Sequence, residues 1–191
     1  MKEKIINEIL KRAESKNPLL IAIDGRCASG KTTMGESLKQ ELFMKGKKSI
    51  LIHIDEFFLR PEQRTKERLS TAGENIDHER FLEKVLIPIK ENKEIKYRPF
   101  DCSVFALGDE KTVKKEDIII IEGSYSLNKN LISYYDLKIF MTSTLETRKE
   151  RILKRNGEKM LQTFINRWIP MEEMYFEAYN IESKCDFVIE T

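Results

Sequence analysis

Five short, largely apolar segments alternate along the chain with stretches of helical periodicity. The apolar segments lie at residues 19–23, 49–54, 118–121, 136–141 and 186–189. Continuous apolar runs of this kind are typical of strands that are buried on both faces of a parallel sheet. The periodic stretches predict helices at residues 4–14, 30–44 and 146–155, and another that begins near His78. The pattern therefore predicts a three-layer α/β fold, in which a five-stranded parallel sheet carries helices on both faces.

The segments between these elements predict one compact unit. Residues 60–77 are polar and contain Pro61 and Gly73, so we expect a long excursion of the type that carries function. No internal repeat or interdomain linker interrupts the 191 residues. We therefore expect residues 1–191 to form a single domain.

Composition and charge exclude several classes of function. The 34 lysines and arginines are balanced by 32 aspartates and glutamates, so no basic excess predicts a nucleic-acid partner. No apolar run approaches the roughly 20 residues that cross a bilayer, so we expect no membrane partner. Cys27, Cys102 and Cys185 are far apart and lack metal-ligand spacing. Without a signal peptide, this sparse set favours reduced thiols in the cytoplasm. The sequence leaves open whether the chain forms a homo-oligomer.

The segment from Gly25 to Thr32 reads G-R-C-A-S-G-K-T and fits G-x-x-x-x-G-K-[ST], the phosphate-binding P-loop. It lies between an apolar strand and a helix, where the loop N–H groups and the helix dipole both face an anion. Lys31 brings a charge to the outer phosphates, and the Thr32 hydroxyl can ligate Mg²⁺. We interpret Cys27 as a small variable residue of the loop. The expected nucleotide-binding residues are Gly25, Ala28, Ser29, Gly30, Lys31, Thr32 and Thr33.

Two acids follow apolar strands, Asp55 after the second strand and Glu122 after four consecutive isoleucines. The carboxyl ends of parallel strands meet at one edge of a sheet, so both acids are expected beside the P-loop. Asp55 could accept a proton from a substrate hydroxyl while it touches Mg²⁺ or its waters. Glu122 could hold Mg²⁺ directly or through water. The predicted metal site therefore consists of Thr32, Glu122 and Asp55.

Arg148, Arg151 and Arg155 fall on one face of the helix predicted at residues 146–155. Arginines on a mobile lid can screen the charge of a transferring phosphoryl group. Arg155 is the strongest candidate because Asn156-Gly157 follows it as a hinge-like turn. We therefore expect a lid at about residues 146–166, with Arg151 and Arg155 joining Lys31 and Asp55 as catalytic residues.

In this order, the residues resemble the uridine kinase branch of the P-loop kinases, which is related to phosphoribulokinase and pantothenate kinase. The likeness covers nearly the whole chain. Besides the P-loop it rests on D-E-F-F from Asp55, N-I-D-H-E-R-F from Asn75, Y-R-P-F-D from Tyr97, E-G from Glu122, and the arginine-rich stretch from Thr147. The resemblance implies the P-loop kinase fold with an arginine-bearing lid, ATP and Mg²⁺ as cofactors, and Asp55 as the catalytic base. It also implies that the acceptor contacts Asp77, Phe58, Tyr97, Phe100 and Arg148, with Asp77 on sugar hydroxyls.

The resemblance implies transfer of the γ-phosphoryl group of ATP to a hydroxyl of a small-molecule acceptor, with uridine or cytidine as the leading candidate. The chain departs from the family pattern where the acceptor is recognised. Phe105 stands where uridine kinases carry a base-reading histidine, Phe100 replaces a tyrosine, and Thr163 replaces a glutamine. Ile152 replaces one of the lid arginines. A pocket with fewer polar residues discriminates a base less well by hydrogen bonding.

Two alternatives stay open at this point. The acceptor could be another sugar, a nucleotide or a coenzyme precursor, and Arg60, Arg64 and Arg68 in the polar excursion could serve an acceptor that already bears phosphate. Alternatively, the chain could be a nucleotide-binding regulator that hydrolyses ATP slowly. Such a regulator needs a P-loop but has no need of Asp55 or Asp77.

Overall fold

A computed structural model describes residues 1–191, and nine strands account for its extended segments. In chain order they are β1 (Leu19–Gly25), β2 (Ser49–His53), β3 (Ile95–Tyr97), β4 (Phe100–Asp101), β5 (Ala106–Leu107), β6 (Lys111–Val113), β7 (Ile118–Glu122), β8 (Leu137–Thr142) and β9 (Phe187–Glu190). Five of them form one parallel sheet in the order β2-β7-β1-β8-β9. The predicted five-stranded parallel sheet is confirmed.

Eight α-helices accompany the strands. They are α1 (Lys2–Ala13), α2 (Lys31–Met44), α3 (Lys66–Leu69), α4 (His78–Phe81), α5 (Ile87–Lys90), α6 (Leu145–Asn156), α7 (Glu158–Thr163) and α8 (Ile169–Tyr179). Wider π-helical turns join α4 to α5 and α7 to α8, and a proline stands at the start of α5 and of α8. Proline has no N–H to donate, so the wider turn lets the chain stay helical across it. None of these helices combines the length and the apolar character that a bilayer crossing requires.

Two small antiparallel pairs, β3 with β6 and β4 with β5, were not predicted from the pattern. Their strands are two or three residues long, which is too short to show a period of two. The β4–β5 turn carries Phe105, whose φ of 57° lies in the left-handed region that few side chains adopt. This hairpin therefore holds Phe105 in a fixed and strained position at its tip.

Alternate residues of the buried strands face two separate hydrophobic cores. Ile21 and Ile23 of β1 pack with Ile5, Ile9 and Leu38 on the face covered by α1 and α2. The neighbouring positions of β1 face the other core, which contains Phe57, Phe81, Tyr175 and Phe176. Helices thus cover both faces of the sheet, and the three-layer arrangement is confirmed.

Gly25 ends β1 where the strand lies against the backbone of β8. Its φ is 137°, and a Cβ atom there would stand 1.9 Å from the carbonyl oxygen of Met141. Any side chain would therefore push β1 away from β8. The first glycine of the P-loop is needed here for close packing of two strands as well as for the turn.

Asp24 is a fully buried carboxylate immediately before this glycine. Its two oxygens accept hydrogen bonds from the N–H groups of Gly25, Tyr125 and Leu127 at 2.7, 3.0 and 2.8 Å, and from the Tyr175 hydroxyl at 2.8 Å. Four donors on one carboxylate satisfy both oxygens. Asp24 therefore joins the start of the P-loop, the loop after β7 and helix α8.

Replacing this carboxylate should destabilise the protein. In Asp24→Asn an amide NH₂ would face donors that now bind an oxygen, and buried donors without an acceptor cost about 1–3 kcal/mol. We expect the free energy of unfolding in urea to fall by about that amount. Tyr175→Phe, which removes one donor and leaves no acceptor unpaired, should cost less. An Asp24→Asn variant as stable as the parent protein would contradict the role assigned to Asp24.

The difference in stability between the parent protein and Asp24→Asn should depend on pH, and the pKa of Asp24 sets the sign of this dependence. Burial raises the pKa of Asp24 from 3.8 to about 6, against the opposing effect of its hydrogen bonds. A raised folded-state pKa means that this group stabilises most at low pH and loses that contribution as the pH rises from 3.8 to about 6. Asparagine does not titrate, so the stability difference between the two proteins should narrow across this window. A difference that widens instead would show that the pKa of Asp24 is depressed.

Candidate active site

Three strand ends meet beside the P-loop because β7 lies between β1 and β2. In this register Glu122, the last residue of β7, pairs with Ile23 of β1 and with His53 of β2. The chain continues from β1 into the P-loop and from β2 into a 3₁₀ turn, Ile54–Phe57, which begins with Ile54 and Asp55. The parallel topology therefore brings Asp55, Glu122 and the P-loop to one edge of the sheet.

The P-loop has the features of an anion site. Lys31 Nζ donates hydrogen bonds to the carbonyl oxygens of Gly25 and Arg26 at 2.8 and 2.9 Å, so its charge lies inside the loop. Helix α2 begins after Gly30 without a side-chain cap, which leaves its first N–H groups free for an anion. The buried hydroxyl of Ser29 has no hydrogen-bond partner. These free donors fit the phosphates of a nucleotide.

Oxygen atoms of Thr32 and Glu122 converge at the start of α2. Thr32 Oγ1 donates to Glu122 Oε1 at 3.0 Å, and His53 Nδ1 lies 2.5 Å from the same oxygen. This hydrogen bond raises the pKa of His53, although burial opposes it. A hydroxyl and a carboxylate beside a phosphate site are the oxygen ligands that Mg²⁺ prefers. The residues therefore fit a magnesium ion held by Thr32 and Glu122.

Asp55 lies in the same cavity. Its side chain is exposed to the solvent in the cavity, and packed protein surrounds it on the other sides. That enclosure raises the pKa of the Asp55 carboxyl to about 6, while the charge of Lys31 acts in the opposite direction. Gly123 makes room for this side chain. A Cβ at Gly123 would lie 2.9 Å from Asp55 Oδ1. The sequence E-G thus supplies a possible metal ligand and the space beside the candidate base.

The cavity has a volume of about 740 Å³. It brings together most of the residues predicted from the sequence, namely Ala28, Gly30, Lys31, Thr32, Thr33, Asp55, Phe58, Glu122, Arg151 and Arg155. Arg151 reaches the P-loop, where it donates to the carbonyl oxygen of Ala28 at 3.0 Å. Arg155 is exposed and donates to Asn156 Oδ1 at 2.8 Å. The segment predicted as a lid therefore borders the cavity from helices α6 and α7.

Four residues expected on the acceptor lie outside the cavity lining. Asp77 is 1% exposed and caps α4, accepting from the backbone N–H of Arg80 at 3.0 Å. The Tyr97 hydroxyl donates to Glu56 Oε2 at 2.6 Å. Phe100 is buried behind Phe105, with ring centroids 5.5 Å apart.

The fourth residue, Arg148, is 4% exposed and donates to Glu173 at 3.3 Å. Contact of these residues with the acceptor stays a prediction, and for Asp77 and Arg148 it requires a change of side-chain partners.

Two acids of helix α8 hold the P-loop in place and were missed in the sequence. Glu172 accepts from the backbone N–H of Cys27 at 2.8 Å and from the Ser124 hydroxyl at 2.7 Å. Glu173 binds the Arg26 guanidinium through contacts of 2.8 to 3.1 Å. The two adjacent glutamates are visible in the sequence. They hold the P-loop only because the fold packs α8 against it.

Cys27 and Ile152 form the contact between the P-loop and the lid segment. They pack with Leu161 and Ile169 in a small buried cluster. Burial raises the pKa of the Cys27 thiol to about 12, so it stays protonated at neutral pH. Ile152, where the family pattern has an arginine, therefore contributes packing between lid and loop.

Aromatic and apolar side chains also line the cavity. They are Phe58, Phe105, Met160, Phe164 and Trp168. Phe105 lies there because the strained β4–β5 turn points its ring at the cavity. A wall of this kind suits an acceptor with a planar or apolar part.

Comparison with known proteins places the chain in a family. The description "Phosphoribulokinase / Uridine kinase family" belongs to a family model that matches residues 20–159. Uridine-cytidine kinase B of Dictyostelium discoideum is 31% identical over 152 residues, which cover 75% of this chain and 60% of that protein. A uridine kinase of Ureaplasma parvum serovar 3 is 29% identical over 177 residues, 85% of this chain and 84% of the relative. These relatives indicate a phosphotransferase that acts on a hydroxyl group.

Solved structures show the same fold. A "possible uridine kinase" from Bacillus stearothermophilus superposes with a TM-score of 0.73 at 21% identity, covering 99% of this chain and 100% of the other. D-glycerate 3-kinase from Cryptococcus neoformans superposes with a TM-score of 0.68 at 14% identity, covering 100% and 95%. Both show a P-loop kinase fold around the sheet described above. With the match over residues 20–159, the chain belongs to the phosphoribulokinase/uridine kinase family.

Proposed function

We propose that the chain transfers the γ-phosphoryl group of ATP to a hydroxyl group of a small molecule, and that the first acceptors to consider are uridine and cytidine. One observation carries the proposal: Asp55 shares a cavity with Lys31 and with the Thr32–Glu122 pair. A P-loop alone serves motors and switches as well as kinases. A carboxylate facing the phosphate site supplies a base that can take the proton of a hydroxyl acceptor. The names of the relatives support a nucleoside.

On the donor side, the chain binds and orients the triphosphate. The N–H groups at the start of α2 and the Lys31 ammonium cradle the phosphates, and the unpartnered Ser29 hydroxyl is available to them. Mg²⁺, when held by Thr32 and Glu122, supplies positive charge to the phosphate oxygens. Glu172 and Ser124 keep the loop and Lys31 in position, since Lys31 Nζ lies 3.3 Å from the Ser124 hydroxyl.

On the acceptor side, Asp55 takes the proton of the attacking hydroxyl. The hydroxyl oxygen forms its bond to the γ-phosphorus as the bond to ADP breaks. The raised pKa of Asp55, about 6, makes it a better proton acceptor than an exposed aspartate and leaves it ionised at neutral pH. Arg151 and Arg155 lie on the lid side of the cavity and would screen the transferred group.

An acceptor panel distinguishes this proposal from its rivals. We expect Mg-ATP to yield ADP slowly with the protein alone and much faster when a suitable acceptor is added. The panel contains nucleosides, nucleotides, sugars and vitamin alcohols. A nucleotide-binding regulator would show a low rate that no acceptor changes. A response to phosphorylated acceptors alone would exclude the nucleoside class.

A substitution of the candidate base tests the mechanism. Asp55→Asn keeps the size of the side chain but cannot take the proton, so kcat should fall by about 10²-fold or more. The KM for ATP should change little, because Lys31 and the loop amides remain. Asp109→Asn serves as the matched control, since Asp109 is exposed and outside the cavity. Activity of Asp55→Asn equal to that of the control would remove Asp55 from the mechanism.

A further inference from the structure

Arg64 is a cation without a partner on the acceptor side of the cavity. The other two arginines of the polar excursion are bound within the protein. Arg60 contacts Gln63 and Asp77 at 3.1 and 3.6 Å. Arg68 donates to Glu79 at 2.6 Å. Arg64, by contrast, lines the cavity, and its guanidinium makes no ion pair and donates no hydrogen bond. Its position in the excursion therefore gives it a free guanidinium that faces a ligand.

The guanidinium of Arg64 lies over the ring of Phe105. The Arg64 Cζ atom lies 5.1 Å from the ring centroid. A cation–π contact of this kind occupies no N–H donor in a conventional hydrogen bond, so the donors of the guanidinium stay free for a ligand. Phe105 itself lies at the tip of the β4–β5 hairpin, where its φ is 57°. The cavity thus presents the planar fork of hydrogen-bond donors of a guanidinium without a partner.

The charges around Arg64 favour a ligand that supplies hydrogen-bond acceptor atoms. No carboxylate neutralises the guanidinium, and Arg167 is a second cation near it. Arg167 lies over the ring of its sequence neighbour Trp168, which lines the cavity. Asp55, which would bind the reacting hydroxyl, lines the same cavity as Arg64. One acceptor molecule can therefore reach the base and the fork together.

We propose that Arg64 determines which molecule is phosphorylated. Its guanidinium would bind two adjacent, coplanar hydrogen-bond acceptor atoms of that molecule. The inference rests on the proposed function and names the acceptor chemistry of that site. Two sources carry such a pair: the O2/N3 edge of cytosine and the two oxygens of a carboxylate. Uracil does not, because its N3 carries a hydrogen between O2 and O4. The fork accordingly favours cytidine over uridine, or a hydroxy acid over its neutral alcohol.

Matched acceptor pairs test the chemistry. We expect the protein with Mg-ATP to prefer cytidine over uridine, or D-glycerate over glycerol, by about tenfold or more in kcat/KM, the discrimination typical of a bidentate contact. A preference in the first pair identifies the base edge as the source. A preference in the second pair alone identifies a carboxylate. Equal use of both members in both pairs overturns the inference.

Arg64→Lys keeps the charge but removes the planar fork, so it should abolish the preference through KM while kcat changes little. Lys66→Gln is the control, because Lys66 is exposed in the same excursion and outside the cavity. It should retain the preference. An Arg64→Lys variant with the parental preference would overturn the inference.

Binding provides a readout that does not depend on turnover. Trp168 is the single tryptophan and lines the cavity, so its fluorescence should report acceptor binding directly. We expect Arg64→Lys to weaken binding of the preferred acceptor about tenfold without changing that of its matched partner. If no acceptor is phosphorylated, the proposed function fails, and the fluorescence titration still decides the role of Arg64. Equal dissociation constants in both proteins overturn that role.

Discussion

The buried carboxylate of Asp24 is the contact on which the rest of the site depends. It binds N–H groups at the start of the P-loop and in the loop after β7, and it binds the Tyr175 hydroxyl of α8. Three segments far apart in the chain are thereby joined at one point. A carboxylate in an apolar interior is costly unless donors surround it, and Asp24 has four. Ionisation of Asp24 lowers the free energy of unfolding, because burial raises the pKa of this group. Its hydrogen bonds nevertheless fix the geometry of the phosphate site.

Helix α8 extends this arrangement toward the lid. Glu172 holds the Cys27 amide of the P-loop, and Glu173 holds Arg26 of the loop together with Arg148 of α6. Two adjacent residues of one helix thus contact both the phosphate site and the lid segment. Movement of the lid would change these contacts, because α7 continues through a π-helical turn into α8. Helix α8 therefore contacts both the P-loop and the segment that we expect to act as a lid.

Much of the fold was predictable because its signals are local. Apolar runs mark the five strands of the main sheet, and the G-x-x-x-x-G-K-T pattern marks the loop between β1 and α2. The position of Asp55 and Glu122 at one edge follows from parallel topology. The role of Asp24 was not predictable, because three of its four donors belong to Tyr125, Leu127 and Tyr175, far from it in the chain. Its four partners come together only in the folded chain.

The acceptor side was predicted less well for a related reason. Family motifs indicate Asp77 and Arg148, but both side chains bind neighbouring residues, Arg80 and Glu173. The wall that does face the cavity includes Phe105, which lies at the tip of a short hairpin, and Arg64, whose guanidinium has no partner within the protein. Contacts of this kind depend on a few ångströms of backbone placement. The pattern of residue types along the chain does not encode them.

Direct observation of the product tests the central claim, that a phosphate donor and a hydroxyl acceptor meet in one cavity. Phosphorus NMR of the protein with Mg-ATP and an acceptor distinguishes transfer from hydrolysis in a single spectrum. We expect a new phosphomonoester resonance that grows in step with ADP. Growth of inorganic phosphate in step with ADP, with no phosphomonoester for any acceptor, would contradict it.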